Sequence, residues 1–314
     1  MNGSKVAVIG AGGVGATIAY AALLNGVARE IALYDIEAAK VRAEVLDLNH
    51  GLRFTPTARV VGSDHLDICV DADIVVITAG AKQRSGETRL DLAGRNTDIF
   101  RELIPALVDR APRAVLLVVT NPVDVLTYVA FRLSGFPSSR VIGSGTVLDT
   151  SRLHFLLAER CGVAVSNVHA TIAGEHGDSE FALWSSAAIG TVPLNRWITP
   201  SGDHLTGDEL DEIAERVKHA AYDIIRGKGA TTYAIGLAVT NIVGAILNDE
   251  HRIMPVSTFQ EGEHGISDVC LSMPAVVGGG GVVRRMEVPL TGEEQRRLTA
   301  SADTIRQTIR SVDF

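Results

Sequence analysis

Short apolar runs alternate with longer segments of helical periodicity through the first half of the chain. Four runs of consecutive apolar and β-branched residues predict strands at 6–9, 31–34, 74–77 and 115–119. The segments that follow them predict helices at about 14–26, 37–49, 88–110 and 122–134. Strands that are apolar on both faces are typical of a parallel sheet covered by helices on each side. The pattern therefore predicts an α/β fold with a doubly wound parallel sheet.

The second half of the chain has a different, mixed pattern. It predicts a helix at 146–161, a strand-rich stretch, helices at 207–226 and 230–248, further strands to 288 and a closing helix. The run Thr291-Gly292-Glu293-Glu294 has the form of a capping box and predicts the start of that last helix. We therefore expect two domains, a doubly wound α/β domain at 1–144 and a mixed α+β domain at 145–314.

Composition narrows the classes of function. The 314 residues carry a formal net charge of −8, which argues against a nucleic-acid partner because phosphate binding needs a basic face. Cys69, Cys161 and Cys270 are too widely spaced for a metal motif, and no metal is expected. The apolar runs are too short to span a membrane, and residues 1–5 lack a signal sequence. We expect a soluble cytoplasmic protein.

A glycine-rich turn follows the first predicted strand and opens a helix. In this context Gly10 allows a tight turn, Gly12 lets the backbone approach a pyrophosphate, and Gly15 permits close helix packing. Asp35, at the end of the second strand, can accept hydrogen bonds from ribose hydroxyls. Its neighbours Tyr34 and Ile36 offer no cation for a 2′-phosphate, which favours NAD over NADP. The segment predicts a Rossmann dinucleotide site; the alternative is a turn that binds nothing.

Three polar clusters are candidates for chemistry. His176 lies in the glycine-flanked run 174–178, and histidine exchanges a proton near neutral pH. Asp149 and Arg152 share one helix face at spacing i, i+3. The polar loop 81–89 follows a strand at the edge where doubly wound sheets bind ligands. Taken alone, these features are equally compatible with a structural histidine, an intrahelical ion pair and a solvated loop.

Five motifs occur in order along the chain: GAGGVG, TAGAKQRSGETRLDL, TNPVD, GSGTVLDTSR and GEHGD. Through these motifs the chain resembles the lactate/malate dehydrogenase family over nearly its whole length, and most closely the bacterial L-lactate dehydrogenases. The resemblance implies reversible hydride transfer between NADH and pyruvate to give L-lactate and NAD⁺, the last step of fermentative glycolysis.

The resemblance also implies roles for individual residues. His176 would be the acid/base, Asp149 would orient its imidazole, Arg152 would bind the substrate carboxylate, and Arg89 would polarise the substrate carbonyl after loop closure. Further residues would contact the substrate (Asn121 and Thr231) or the cofactor (Val14, Asn96, Asn121 and Ile235).

By the same resemblance, Gln83 occupies the position that determines which substrate an enzyme of this family prefers. A neutral glutamine suits the methyl group of pyruvate, whereas a malate enzyme would carry an arginine for the second carboxylate of oxaloacetate. Because Arg84 is the next residue, weak oxaloacetate reduction is also expected. A malate or other L-2-hydroxy-acid dehydrogenase therefore stays open as an alternative.

The resemblance further suggests a homotetramer and an effector, fructose 1,6-bisphosphate. His169 matches the effector-binding histidine of the family, but His154 stands where the family has an arginine. Two protonated histidines can bind a phosphate, so any activation should strengthen at acid pH. The alternative is an interface histidine pair with no effector.

A hypothesis from another class is a non-catalytic NAD-binding scaffold that keeps the fold, since fold alone does not establish function. The joint presence of Arg89, Asp149, Arg152 and His176 argues against it.

Overall fold

The computed structural model describes residues 3–81 and 88–314. The predicted specificity residues Gln83 and Arg84, and the side chain of Arg89, lie outside this described part. The helices of the described residues are α1 (Gly13–Asn25), α2 (Ala38–His50), α3 (Arg89–Arg110), α4 (Val123–Ser134), α5 (Val147–Cys161), α6 (Gly207–Lys228), α7 (Tyr233–Leu247) and α8 (Gly292–Ser311).

Six strands form the parallel part of the main sheet: β1 (Lys5–Ile9), β2 (Glu30–Tyr34), β3 (Arg59–Ser63), β4 (Ile74–Ile77), β5 (Val115–Val118) and β6 (Val141–Gly143). Two later strands, β13 (Ser257–Glu261) and β14 (Ser267–Ser272), extend the sheet in antiparallel register. The strand order is β14-β13-β6-β5-β4-β1-β2-β3. The predicted α/β fold, a Rossmann sheet followed by an α+β part, is confirmed.

Smaller sheets complete the second half of the chain. Their strands are β7 (Val168–His169), β8 (Ile172–Ala173), β9 (Phe181–Ala182), β10 (Ala188–Ile189), β11 (Val192–Pro193), β12 (Arg252–Met254), β15 (Ala275–Gly278) and β16 (Gly281–Arg285).

The core lies on both faces of the main sheet, as the apolar strands predicted. Along β1, Val6 and Val8 pack in one cluster with side chains of α1 and α7, whereas Ala7 and Ile9 pack in the other with side chains of α3 and α4. This alternation follows from the two-residue repeat of a strand. Neither face of β1 meets water, which is why its sequence reads as one apolar run.

Sequence and structure differ at the two ends of the parallel part of the main sheet. Strands β3 and β6 were not predicted, because each has only two or three consecutive apolar residues, too few to be recognised as a buried strand. Strands β13 and β14 carry the sheet across the predicted division at residues 144 and 145, since Ser257 of β13 pairs with Gly143 of β6. In the described residues, no helix combines the length and the apolar character needed to cross a membrane.

Candidate active site

Catalytic candidates from distant parts of the sequence meet beside the carboxyl ends of the strands. His176 follows β8 in a loop fixed by Gly174, whose N–H donates to the Ser272 carbonyl at 2.8 Å. Asp149 lies in the first turn of α5, and only 1% of its surface is exposed. The Nδ1 atom of His176 lies 2.6 Å from Oδ2 of Asp149. The structure therefore pairs the predicted acid/base with the carboxylate predicted to orient it.

Arg152 joins the same carboxylate from one helical turn further along α5. Its guanidinium donates to the other carboxylate oxygen of Asp149, Oδ1, at 2.6 Å. Both side chains are largely buried. Asp149 thus accepts one hydrogen bond on each oxygen and holds the predicted substrate-binding arginine next to the predicted catalytic histidine.

The paired charges control protonation in this cluster. Burial alone would lower the pKa of His176, but the Asp149 carboxylate, through its charge and its hydrogen bond, raises that pKa to about 9. Burial would raise the pKa of Asp149, yet His176 and Arg152 keep it below its usual value. His176 therefore carries its proton at neutral pH while Asp149 stays ionised.

A second buried aspartate binds the backbone of His176. Asp124, in the first turn of α4, accepts hydrogen bonds from the His176 backbone N–H at 2.7 Å and from the Ser257 hydroxyl at 2.6 Å. Burial raises the pKa of Asp124 to about 7, despite these two donors. Sequence reasoning assigned it no role, although it closes the quoted TNPVD motif.

A third carboxyl group, that of Glu180, was not predicted at all. It is 5% exposed, and one of its oxygens, Oε1, has no hydrogen-bond partner among the described residues. Atoms of Asp149, His176 and Glu180 lie within 4.8 Å of one another. Such a group could hold a metal, but the Arg152 cation on Asp149 opposes a second cation there. Burial, followed by the charge of Asp149, raises the pKa of Glu180 to about 8.

The glycine-rich turn has the shape that the sequence predicts. Gly10 has φ +103°, and a Cβ there would lie 2.8 Å from the Thr78 hydroxyl oxygen. A Cβ on Gly15 would lie 1.8 Å from the Gly10 carbonyl oxygen, so only glycine allows α1 to start so close to β1. A Cβ on Gly12 would meet nothing within 4 Å, and α1 has no side-chain cap. The open, uncapped helix start fits a phosphate group.

Asp35 lies beside this turn, at the end of β2. It accepts hydrogen bonds from the Ala11 and Glu37 N–H groups at 2.8 and 3.1 Å, and the Lys40 amine lies 3.2 Å from it. Burial would raise the pKa of Asp35, but these donors lower it overall. Lys40 is a cation that the sequence did not predict beside Asp35, because it lies five residues further along the chain and reaches the carboxylate from the first turn of α2.

The strand-end loops around the predicted substrate region are held together by Asn96. Its side chain is fully buried, accepts from the Ala81 N–H at 2.7 Å and donates to the Asn121 carbonyl at 2.8 Å. Asn121 is exposed and precedes a cis peptide bond to Pro122. Asn96 therefore fixes the position of Asn121, in addition to the cofactor contact predicted for it.

Residues at the start of α7 lie against the glycine-rich turn. A Cβ on Gly13 would lie 3.5 Å from the Thr232 methyl group, next to Thr231. The predicted cofactor residues Val14 and Ile235 are both half-buried and pack against the same core cluster. The structure thus brings Thr232 to the predicted cofactor edge, with Thr231 next to it in the chain and Ile235 in the first turn of α7.

Comparison with known proteins identifies the family. The model of the lactate/malate dehydrogenase NAD binding domain matches residues 4–143, and that of the lactate/malate dehydrogenase alpha/beta C-terminal domain matches residues 146–313. The chain belongs to the lactate/malate dehydrogenase family. The predicted family resemblance is confirmed.

Individual members of the family match over full length. An L-lactate dehydrogenase of Bifidobacterium animalis subsp. lactis is 51% identical over 312 residues, which cover 99% of this chain and 98% of the relative. One of Acetivibrio thermocellus is 49% identical over 310 residues, covering 99% and 98%. The crystal structure of a lactate dehydrogenase enzyme from a Medee basin deep-sea metagenome library covers 100% of both chains, with a TM-score of 0.95 at 42% identity.

The two histidines predicted for effector binding in this family member also come together. His154 Nε2 lies 2.8 Å from the Ala170 carbonyl oxygen, beside the exposed His169 on β7. Burial lowers the pKa of His154; the hydrogen bond to the Ala170 carbonyl raises it and the charge of His169 lowers it, with a lowered pKa as the net result. The structure brings together His176, Asp149 and Arg152 at one site and His154 and His169 at another, while Gln83 and the Arg89 side chain lie outside the described part.

Proposed function

We propose that the chain is an NAD-dependent L-lactate dehydrogenase, which reduces pyruvate reversibly to L-lactate. The observation that carries this proposal is the buried cluster of His176, Asp149 and Arg152 in a chain that matches L-lactate dehydrogenases along its full length. The cluster supplies a proton donor and an anion-binding cation side by side, which reduction of a 2-oxo acid requires.

The cofactor fits the glycine-rich turn and Asp35. The open start of α1 at Gly12 would hold the pyrophosphate, and the Asp35 carboxylate would accept the ribose hydroxyls. Val14, Asn96, Asn121 and Ile235 complete the proposed cofactor residues. When bound, NADH supplies the hydride. Asp35 would repel a 2′-phosphate, so we keep NAD as the cofactor even with Lys40 beside it.

His176 transfers the proton in this proposal. Its Nδ1 atom is committed to Asp149, which leaves Nε2 to donate a proton to the carbonyl oxygen of pyruvate. Asp149 stays ionised and stabilises the imidazolium before transfer. In the reverse direction, neutral His176 accepts the hydroxyl proton of lactate.

Arg152 binds the carboxylate of the substrate. The hydrogen bond to Asp149 uses one N–H group of the Arg152 guanidinium, which has five N–H donors in all. The geometry of the other donors suits a substrate carboxylate. Arg89 would add positive charge next to the carbonyl oxygen as the 81–89 loop closes. Thr231 and Asn121 would bound the pocket.

Gln83 sets the preference for pyruvate over oxaloacetate in this proposal. Its neutral amide offers no positive charge to the second carboxylate of oxaloacetate. The neighbouring Arg84 could supply one, and we therefore expect weak activity with oxaloacetate. A malate or other L-2-hydroxy-acid dehydrogenase is the second candidate for this reason. The non-catalytic scaffold is disfavoured because His176, Asp149 and Arg152 are all present and in contact with one another.

The assembly and regulation belong to the same proposal. We expect a cytoplasmic homotetramer that works at the last step of fermentative glycolysis, and three buried free thiols suit a reducing compartment. His154 and His169 are the proposed binding residues for fructose 1,6-bisphosphate. Because burial lowers the pKa of His154, it gains its positive charge only at acid pH, so activation should be stronger at pH 6 than at pH 7.5.

The test is the initial rate of NADH oxidation with pyruvate and with oxaloacetate. We expect kcat/KM to favour pyruvate by at least about 100-fold, because an unpaired second carboxylate is rejected strongly. Arg152→Lys keeps the charge but loses the fork, and should lower kcat/KM for pyruvate. Comparable values for both substrates would support the malate alternative, and no rate with either would support the scaffold. Parallel assays with fructose 1,6-bisphosphate at pH 6 and 7.5 test the effector.

A further inference from the structure

Glu180 is a buried carboxyl group that the proposed mechanism leaves unused. It lies four residues beyond His176, immediately before β9, and its Oε1 atom has no hydrogen-bond partner among the described residues. An unpaired carboxylate oxygen in a protein interior is costly when ionised, so such groups rarely persist without a reason.

A polar cavity connects Glu180 to the surface. Its volume is about 270 Å³, and its lining includes Glu180 together with the exposed side chains of Asp211 and Glu215 on α6. A polar cavity of this size holds several water molecules. Glu180 therefore has access to solvent protons on one side and to the His176–Asp149 pair on the other.

The charged groups that face Glu180 and the His176–Asp149 pair come from four helices. They are Asp124 from α4, Asp149 and Arg152 from α5, Asp211, Glu215 and Lys218 from α6, and Arg297 from α8. Asp149 raises the pKa of Glu180, while His176, Arg152 and Lys218 lower it; burial is the largest cause and raises it. In turn the charge of Glu180 raises the pKa of His176.

We propose that Glu180 is a positioning residue of the acid–base step: once its carboxyl group has lost its proton to the water of the cavity, its negative charge strengthens the binding of a proton by His176. This inference rests on the proposed function of His176 and deepens it. At neutral pH both groups carry their protons, and Glu180 stays neutral while His176 gives its proton to the substrate oxygen. Above about pH 8 Glu180 is ionised, and its charge keeps His176 protonated to a higher pH than Asp149 alone would.

The geometry explains why ionised Glu180 stabilises protonated His176. With Asp149 ionised and Arg152 charged, protonating His176 adds a positive charge to a buried cluster, and ionising Glu180 removes it. Two interacting groups of this kind titrate together, so the proton affinity of each depends on the charge of the other.

The test is the pH dependence of His176 reactivity in Glu180→Gln. Diethyl pyrocarbonate modifies neutral imidazole, and mass spectrometry of the peptide that contains His176 reports the modification rate without any assay of activity. Glutamine has the same shape but cannot ionise. We expect the midpoint of reactivity in the free enzyme to fall by about one pH unit, the size of shift that a close buried charge gives. The alkaline limb of kcat/KM for pyruvate should move down with it.

Two further variants make the result specific. Glu215→Gln removes an exposed carboxylate from the same cavity and should leave the midpoint in place. Lys218→Met removes a cation that favours ionised Glu180, so it should lower the midpoint in the same direction as Glu180→Gln even if the latter folds poorly. Unchanged midpoints in both Glu180→Gln and Lys218→Met would overturn the proposal. Failure to reduce pyruvate in the wild type would instead contradict the proposed function and leave this readout intact.

Discussion

At the scale of residues, one carboxylate organises the proposed chemistry. Asp149 accepts from His176 on one oxygen and from Arg152 on the other, so a single buried charge fixes both the proton donor and the anion-binding group. The identities of these three residues could be predicted from motifs. Asp124 and Glu180 could not be assigned roles, because their importance depends on burial and on contacts with elements distant in sequence.

The raised pKa of Asp124 makes a prediction about stability. Its folded pKa of about 7 lies above the unfolded value, so folding takes up a proton at this group, and the contribution of Asp124 to stability falls as pH rises from about 4 to about 7. Asparagine does not titrate and can still accept from the His176 N–H. Asp124→Asn should therefore gain stability relative to the wild type between pH 5 and pH 7.5, by roughly 2–4 kcal/mol.

Urea unfolding of both proteins at the two pH values, at one fixed protein concentration, measures this difference. Titrating groups that do not interact with Asp124 are the same in both proteins, so their effects cancel in the comparison. An equal gap at pH 5 and pH 7.5 would show that Asp124 is not protonated in the folded protein.

At the scale of elements, α8 shows how a locally predicted helix acquires its place. The predicted capping box is confirmed, since Thr291 and Glu294 cap α8 reciprocally. The Glu294 carboxylate also accepts from the N–H and hydroxyl of Ser185, which the sequence did not predict. Further along α8, Ser301 accepts from the Glu175 N–H at 2.7 Å, next to His176. The helix start is local chemistry, whereas its docking on the catalytic loop depends on the fold.

Adjacent glutamates on α8 offer a matched test of this docking. Glu294→Ala removes the carboxylate that accepts hydrogen bonds from both Ser185 and Thr291. Because this carboxylate is buried and accepts several hydrogen bonds, its loss should destabilise the protein by about 2–3 kcal/mol. Glu293→Ala removes only exposed pairs with Arg296 and Arg297 and should cost less than about 1 kcal/mol.

Chemical denaturation of the two variants beside the wild type provides the comparison. If Glu293→Ala is as destabilising as Glu294→Ala, the helix dipole matters more than the contact with Ser185, and the proposed docking role is wrong.

At the scale of the whole molecule, the two halves of the chain share one sheet and one site. The doubly wound half was predictable because its strands are buried on both faces and read as continuous apolar runs. The antiparallel extension by β13 and β14 was not, because the single pairing of Ser257 with Gly143 joins residues more than one hundred positions apart. Strand pairing over such separations leaves no periodic signal in the sequence. The site likewise combines α4, α5, α6 and α8 around the loop that carries His176.

The most direct test of the proposed function is to identify the product formed from pyruvate and NADH. The purified protein is incubated with both, NADH loss is followed by absorbance, and the product is resolved by chiral chromatography. We expect L-lactate, one molecule for each NADH consumed. D-lactate as the product, or no lactate while NADH persists, would contradict it.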